Sequence, residues 1–492
     1  MSLRLAIVAS LALGFMGQPF MPHAFMSRAE AQTNRLAAVA DAMGATNLNS
    51  IEYKGSGLVF NFGQAYEPGE RWPRFIQRAY DASVNYQTPA MRLVQVRSQG
   101  ENPPRGGGQQ ALAGDQRAVA VVSGKFAWQE AGNQAVPNND AAADRLRALW
   151  ATPHGVVKAA TANSGKVDGN NVTISVEGRE FKATLNAQNL VEKVNYLSTN
   201  DVIGDYAIEI AYTDYGDFGG IKFPRHIVQT EDGHPTLDIT VSEVRPNAAV
   251  AIETPANVRE APAPTLRVTV EKFTDGVFFF TTPNARNWAI DFGDHIVVVE
   301  GQGSDARSLA VIEEIKKAIP NKPIRYVINT HAHYDHAGGL RTYVAQGVTV
   351  VTHEMNKPFY EKAWARPRTI APDSLSKAPK AAVYETVNDK KVMTSGGKTI
   401  ELYYMKGASH NMYNLLVFMP GTGLAFLGRR LQSAGGQRGA RPRSHPRARD
   451  RPLPGHHHEQ SRREDDRTRA RRRPKAVRQS QESDRAAASM NA

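Results

Sequence analysis

The feature that most limits the fold of this chain is an apolar run that ends in a dense group of histidines. Residues 324–330 have the β-branched, apolar composition of a buried strand, and His331, His333, Asp335 and His336 follow within six residues. Imidazole and carboxylate groups are ordinary ligands of divalent ions, so this density predicts a metal site on a turn at a strand end. The plainer alternative, a solvated polar turn, rarely contains so many ligand types.

The segments around this strand indicate an α/β layer. Strands are predicted at residues 266–270, 277–281 and 296–300, and apolar residues at helical spacing predict a helix from Ser304 to a stop at Pro320. A further helix is expected after Gly339. Catalytic residues are therefore expected in the loop that follows the strand of residues 324–330.

The first half of the chain has a different pattern, in which short β-type runs are separated by Gly, Asn and Asp turns. The runs lie at residues 58–62, 91–96, 119–122, 172–176, 207–212 and 237–241. They predict an antiparallel sheet, and a helical pattern at residues 141–150 makes α+β the better fold class. The glycine-rich stretch at residues 103–108 predicts a mobile loop.

The expected domains follow from changes in composition. A β-rich domain spans residues 32–262, with an Ala- and Pro-rich linker at about 246–264, and a second domain spans residues 265–428. Residues 1–31 have the layout of a signal peptide, with Arg4, an apolar run at residues 5–16 and a small-residue site before Gln32. This layout predicts a periplasmic or secreted protein without a transmembrane segment. An uncleaved membrane anchor is the alternative.

Composition narrows the chemistry in two ways. The chain has no cysteine, which excludes disulfides, thiolate-bound zinc and iron–sulfur clusters, so a metal site must use His, Asp or Glu. Of the net charge of +12, residues 429–492 supply +11, with 18 Lys and Arg residues against 7 Asp and Glu residues. The rest of the chain is nearly neutral, so no nucleic-acid partner is expected.

The Arg-rich tail, residues 429–492, lacks any apolar pattern beyond Leu431, which predicts a disordered basic tail. A change of reading frame near codon 429 would account for the abrupt change in composition, and resequencing the gene tests this. The competing hypothesis makes the tail a basic arm for nucleic acid or anionic lipid. The tail contains no Phe, Trp or Tyr that could stack on bases.

Residues 266–428 resemble the metallo-β-lactamase superfamily. The family signature His-x-His-x-Asp-His is met at residues 331–336, and Gly338 and Gly339 open the next helix. A further histidine, His410, precedes a predicted strand at residues 415–419. The resemblance implies an αββα sandwich and a zinc-dependent hydrolase whose metal-bound hydroxide attacks an ester, thioester, lactam or lactone carbonyl. It leaves the substrate open, because loops such as residues 364–380 would select it.

The resemblance also implies a ligand set. His331, His333 and His410 would hold one zinc ion, and Asp335 and His336 would hold a second. Asp335 would in addition relay a proton as a catalytic residue.

The chain departs from the family pattern at three positions. Glu300 stands where the family often has an Asp, which keeps a carboxylate behind the ligands. Arg429 stands where dinuclear members have a metal-bridging Asp, and a guanidinium cannot bind a cation, so the number of ions, one or two, stays open. His456, in a Pro-Gly-His context, is the candidate for the distal ligand, although few apolar residues surround it.

The N-terminal domain resembles the curved sheet of periplasmic lipoprotein carriers. The residues that carry this likeness are Tyr212, Tyr215, Gly219, Gly220, Lys222, Phe223 and Pro224. It assigns no ligand, but it gives an alternative function, a non-catalytic binding or carrier protein with an inert metal domain. The oligomeric state is left open.

Overall fold

A computed structural model describes residues 28–107, 112–163, 165–427 and 430–433 of the chain. Most of the predicted signal peptide lies outside these residues, as do Arg429 and His456. The described residues fall in one unit, Met1–Gly436. None of the described helices is both long and apolar enough to cross a bilayer.

The first half of the chain forms an antiparallel sheet of thirteen strands within the described residues. The strands are β1 (Ser50–Phe60), β2 (Arg74–Asn85), β3 (Ala90–Gln99), β4 (Gln116–Ser123), β5 (Phe126–Ala131), β6 (Gln134–Pro137), β7 (Lys166–Asp168), β8 (Asn171–Val176), β9 (Arg179–Leu185), β10 (Val191–Asn200), β11 (Gly204–Phe218), β12 (Ile221–Glu231) and β13 (His234–Pro246). The spatial order is β6-β5-β4-β3-β2-β1-β13-β12-β11-β10-β9-β8-β7, so the first and last strands of the series pair at the centre. The predicted antiparallel sheet is confirmed.

Three helices pack against this sheet. They are α1 (Arg28–Met43), α2 (Ala142–Ala151) and α3 (Pro153–Ala162), and α2 matches the helix predicted from the sequence. Thr152 separates α2 from α3 and caps α3, since its side chain accepts a hydrogen bond from the backbone N–H of Gly155 at 3.1 Å. The Tyr212 hydroxyl of β11 donates to the carbonyl of Ala151 at 2.7 Å, which fixes the end of α2 on the sheet.

The Ala- and Pro-rich segment after β13 lies against the large sheet. It contains one short helix, α4 (Ala256–Arg259), whose Val258 is fully buried with Val119, Val121 and Trp128. The carbonyl of Val258 also accepts a hydrogen bond from the Asn139 amide at 3.3 Å. These contacts hold the segment in place, and the domain boundaries drawn through it stay a prediction.

The second half forms two further sheets. The first is mixed and contains β14 (Thr269–Thr274), β15 (Val277–Thr282), β16 (Ala285–Asp291), β17 (Ile296–Val299), β18 (Ile324–Ile328), β19 (Thr349–His353) and β20 (Tyr384–Val387). The second is antiparallel and contains β21 (Lys390–Ser395), β22 (Lys398–Tyr404), β23 (Leu415–Met419), β24 (Leu424–Leu427) and β25 (Arg430–Ser433). The strands β17 to β20 pair in parallel, which confirms the α/β character expected around β18.

Two details differ from the sequence analysis. The strand expected at residues 266–270 begins only at Thr269. Thr269 pairs with Thr281, which is the second-last residue of β15, so β15 offers almost no further residue for pairing with residues 266–268. The Arg-rich tail begins with a strand, because residues 430–433 pair with β24 and extend the second sheet. Edge pairing of this kind depends on backbone hydrogen bonds and needs no apolar pattern.

The two sheets of the second half face each other across an apolar core that includes Trp288, Phe292, Leu415 and Phe426. Helices cover the other face of the mixed sheet: α5 (Asp305–Ala318), α6 (Tyr334–Ala337), α7 (Leu340–Ala345), α8 (Lys357–Trp364) and α9 (Ser374–Lys377). One helical layer and both sheets of the predicted sandwich are therefore present, and the α+β fold class is confirmed. The core under this helical layer is continuous with the core of the large sheet, so the two halves share buried side chains.

Candidate metal centre

The histidine-rich turn lies at the end of β18 and is buried. His331, His333 and His336 are at most 2% exposed. The turn is held at its start, where the Thr330 carbonyl accepts a hydrogen bond from the backbone N–H of Leu415 at 2.8 Å. The Asn329 amide donates to the His331 carbonyl at 2.9 Å. Parallel pairing of β18 with its neighbours places this turn at the carboxyl edge of the mixed sheet, as predicted.

Three of the predicted ligands meet at one point. Each of His331, His333 and His410 has one ring nitrogen that lies within 4.8 Å of a ring nitrogen of each of the other two. The Nε2 atoms of His331 and His410 are 3.3 Å apart. His410 comes from the loop between β22 and β23, so this point is formed by residues that are far apart in sequence.

The outward nitrogens of these rings have hydrogen-bond partners that orient them. His331 Nδ1 lies 2.8 Å from the Thr330 hydroxyl, which also bonds to Glu300. His333 Nε2 lies 2.9 Å from the carbonyl of Ala65 and donates to it. His333 Nδ1 is left buried without a hydrogen-bond partner. Metal-binding histidines commonly donate their other ring N–H to a carbonyl or carboxylate, so this donor set fits a divalent ion.

Glu300 lies behind the turn, where the sequence analysis placed a carboxylate. It is fully buried, and its Oε2 atom is 3.4 Å from His336 Nδ1. Its backbone has φ +75°, a conformation that costs energy for a residue with a side chain. One ligand atom each from Glu300, His331 and His336 lie within 4.8 Å of one another, so this carboxylate faces two of the histidines at once.

Asp335 and His336, the predicted second pair, are adjacent in space. Asp335 Oδ2 is 3.6 Å from His336 Nε2, and the Asp335 side chain is 32% exposed. Since His336 Nδ1 faces Glu300, its Nε2 atom is the nitrogen that points towards Asp335. Arg429, which stands at the position of the bridging Asp, and His456, the candidate distal ligand, both lie outside the described residues.

The electrostatics of the site favour the neutral form of His333. Burial, together with the neighbouring His410, lowers the pKa of His333 to about 3. A histidine must be neutral to bind a metal ion through a ring nitrogen, so this environment keeps His333 ready to bind at neutral pH.

The large sheet supplies contacts that the sequence analysis missed. We name residues 61–67, which follow β1, the 61–67 loop. Its Gln64 amide donates to Asp335 Oδ1 at 2.7 Å, and its Ala65 carbonyl accepts from His333. Gln64 and Asp335 are 271 residues apart, and neither Gln nor Ala has a chemical signature that would have pointed to this role.

The glycine-rich stretch predicted as a mobile loop also reaches the site. The backbone N–H of Gly106 donates to the Ser409 carbonyl, and that of Gly107 donates to the Gln64 carbonyl, both at 2.9 Å. A methyl group on Gly107 would lie 2.6 Å from His333 Cε1 and 2.8 Å from His333 Nδ1. Glycine at residue 107 therefore leaves room for the histidine ring, and Gly108 lies outside the described residues.

Comparison with known proteins finds one family model that is similar to the segment containing this site. Residues 288–467 match the family model of the metallo-beta-lactamase superfamily, a segment that contains His331, His333, Asp335, His336 and His410. A solved structure, a metallo-beta-lactamase from Pontibacter korlensis, is 19% identical and aligns over 33% of this chain and 71% of that chain, with a TM-score of 0.26. No curated protein sequence matches the chain. The similarity of this chain to the metallo-β-lactamase superfamily therefore rests on residues 288–467, which contain the histidine-rich turn and His410.

Proposed function

We propose that this protein is a zinc-dependent hydrolase whose centre is formed by His331, His333 and His410. The observation that carries the proposal is the orientation of the rings. Their inward nitrogens converge, and His333 Nδ1 is buried without a hydrogen-bond partner while its other nitrogen is bonded to Ala65. A buried, unbonded nitrogen costs about 1–3 kcal/mol, which a bound ion would offset.

The proposed substrate is a small molecule with an ester, thioester, lactam or lactone carbonyl. A divalent ion at the three histidines would polarise such a carbonyl and lower the pKa of water. The chain's own groups have distinct tasks. Glu300 and Thr330 hold His331 in one orientation, and Asp335, which is partly exposed, can receive a proton at the entrance. Asp335 and His336 would hold a second ion if the centre is dinuclear.

The test is metal content together with turnover. The double variant His331→Ala, His333→Ala should lose stoichiometric zinc by elemental analysis, and it should not hydrolyse a chromogenic lactam, lactone and thioester panel. His226→Ala is the matched control, because His226 is a half-exposed histidine on the large sheet that pairs with Asp238. Unchanged zinc in the double variant would refute the site. No turnover by zinc-loaded protein that co-purifies with lipid would favour the carrier alternative.

We also propose that the protein is exported and cleaved before Gln32. Helix α1 begins at Arg28, and its first buried side chain among the described ones is Leu36. Cleavage would therefore remove about one turn of α1, residues 28–31, and no described core residue. The mass of the chain recovered from the periplasm or medium tests this. A mass that includes Met1 would refute it.

A further inference from the structure

The 61–67 loop is fastened to both segments that carry the histidines. The Gly63 carbonyl accepts from the backbone N–H of Tyr334 at 3.0 Å, and the Tyr66 carbonyl accepts from that of Met412 at 2.8 Å. The Glu67 side chain accepts from the Tyr413 hydroxyl at 2.9 Å. The large sheet and the metal centre are therefore joined by backbone hydrogen bonds on two sides of the loop.

Within this loop, Gln64 makes a side-chain contact with a predicted ligand. Its amide nitrogen bonds to one oxygen of Asp335 at 2.7 Å, and the other oxygen, Oδ2, is 3.6 Å from His336 Nε2. Asp335 is about one-third exposed, so a hydrogen bond to a fixed amide restricts the rotation of its carboxylate. The Gln64 amide therefore helps to keep the carboxylate turned towards His336.

We propose that Gln64 is a positioning residue of the metal centre, which holds Asp335 towards His336 so that the pair can bind a second ion. The proposal rests on the proposed function, since it concerns the same centre. The proposal gives the N-terminal half of the chain a role in metal binding. The histidine signature by itself does not indicate this role. Partners that orient ligands in this way typically change metal affinity by about 10- to 100-fold when they are removed.

The experiment compares the full-length wild type with Gln64→Met, which keeps the length of the side chain and removes the donor. Both are titrated with Co²⁺ and Zn²⁺, and the metal stoichiometry and the visible absorption of bound Co²⁺ are recorded. We expect the first equivalent to bind as in the wild type and the second to bind about 10- to 100-fold more weakly, with an altered Co²⁺ spectrum. Gln188→Met, an exposed glutamine on a turn of the large sheet, is the matched control and should change neither.

A double-mutant cycle with Asp335→Asn distinguishes an effect that acts through Asp335 from a general effect of Gln64→Met on the fold. If Gln64 acts through Asp335, Gln64→Met should weaken the second equivalent no further in an Asp335→Asn background. Additive losses would overturn the proposal, and so would a wild type that binds a single ion or a Gln64→Met protein that binds two ions normally. A wild type that binds no metal at all would instead refute the proposed function.

Discussion

At the scale of single residues, the metal centre depends on one position that has no side chain. Gly107 lies so close to His333 that any side-chain atom would meet the ring edge between its two nitrogens. The ring cannot retreat without breaking its bond to the Ala65 carbonyl. The space around His333 Nδ1 is thus kept open by a residue from the other half of the molecule.

Replacement of Gly107 by Ala should therefore weaken metal binding. The methyl group has to displace His333 or the Gln64 side chain, which lies 1.9 Å from the added carbon. We expect affinity for Zn²⁺ to fall by about tenfold or more, as for other changes that misplace a ligand. Chelator competition measures it. Gly421→Ala is the control, because a carbon added there meets no atom within 4 Å. Equal Zn²⁺ affinities of Gly107→Ala and the wild type would show that the absence of a side chain at residue 107 does not matter for the position of His333.

At the scale of elements, helix α3 is joined to helix α1 by a buried histidine. His154 Nε2 lies 3.1 Å from the carbonyl of Met43, the last residue of α1, and its ring lies parallel to Phe223. Burial lowers the pKa of His154 to about 4. The folded protein therefore keeps this ring neutral at a pH where the unfolded chain, with an ordinary pKa of about 6.5, takes up a proton.

This difference predicts a loss of stability in acid. Stability that depends on neutral His154 is complete above about pH 7 and declines as the pH falls from about 6.5 to about 4, by about 1.4 kcal/mol per unit. His154→Gln keeps a donor for Met43 and removes the titration, so its unfolding free energy should depend less on pH. Urea unfolding at about pH 7.5 and about pH 5 measures this, with His226→Gln as the half-exposed control. If the unfolding free energy of His154→Gln depended on pH as strongly as that of the wild type, protonation of His154 would not be the cause of the acid sensitivity.

The segment after α8, residues 365–370, is attached to the large sheet by side-chain hydrogen bonds. Asp205 Oδ2 accepts from the backbone N–H of Thr369 at 2.6 Å and from its hydroxyl at 2.7 Å. Arg366 pairs with Asp232 at 2.8 Å, and Arg368 donates to the Val202 carbonyl at 2.7 Å. This segment belongs to the loop that the sequence analysis expected to select the substrate.

Loss of the Asp205 carboxylate should loosen this segment. Asp205→Ala removes three hydrogen bonds to a charged acceptor, two from Thr369 and one from the backbone N–H of Ile370 at 3.3 Å. With each worth about 1 kcal/mol or more, local opening should become at least about tenfold more frequent. Trypsin cleavage after Arg368, which is only 8% exposed, reports the opening. Asp217→Ala, at the turn between β11 and β12, is the control because Asp217 pairs with Lys222 elsewhere on the sheet. Equal cleavage rates in Asp205→Ala and the wild type would show that other contacts hold the segment.

At the scale of the whole molecule, local patterns in the sequence predicted the elements but not the contacts between the two halves. Short β-type runs predicted six of the thirteen described strands of the large sheet. Helical spacing and Ser304 predicted α5, and the histidine signature predicted the turn after β18. Gln64 and Gly107 could not be found in this way. Their roles depend on which loops meet after folding, and neither residue type marks a metal site by itself.

The pairing of β1 with β13 has a consequence for how the chain is made. All thirteen described strands of the large sheet end by Pro246, so their pairing can form as the exported chain emerges, before the histidine-rich turn has followed. The 61–67 loop can then be in place when His331 emerges, and the second half of the protein can fold against the large sheet. The chain would thus bind metal only after the large sheet has formed. The N-terminal half would then assist the folding of the metal centre that it contacts in the finished protein.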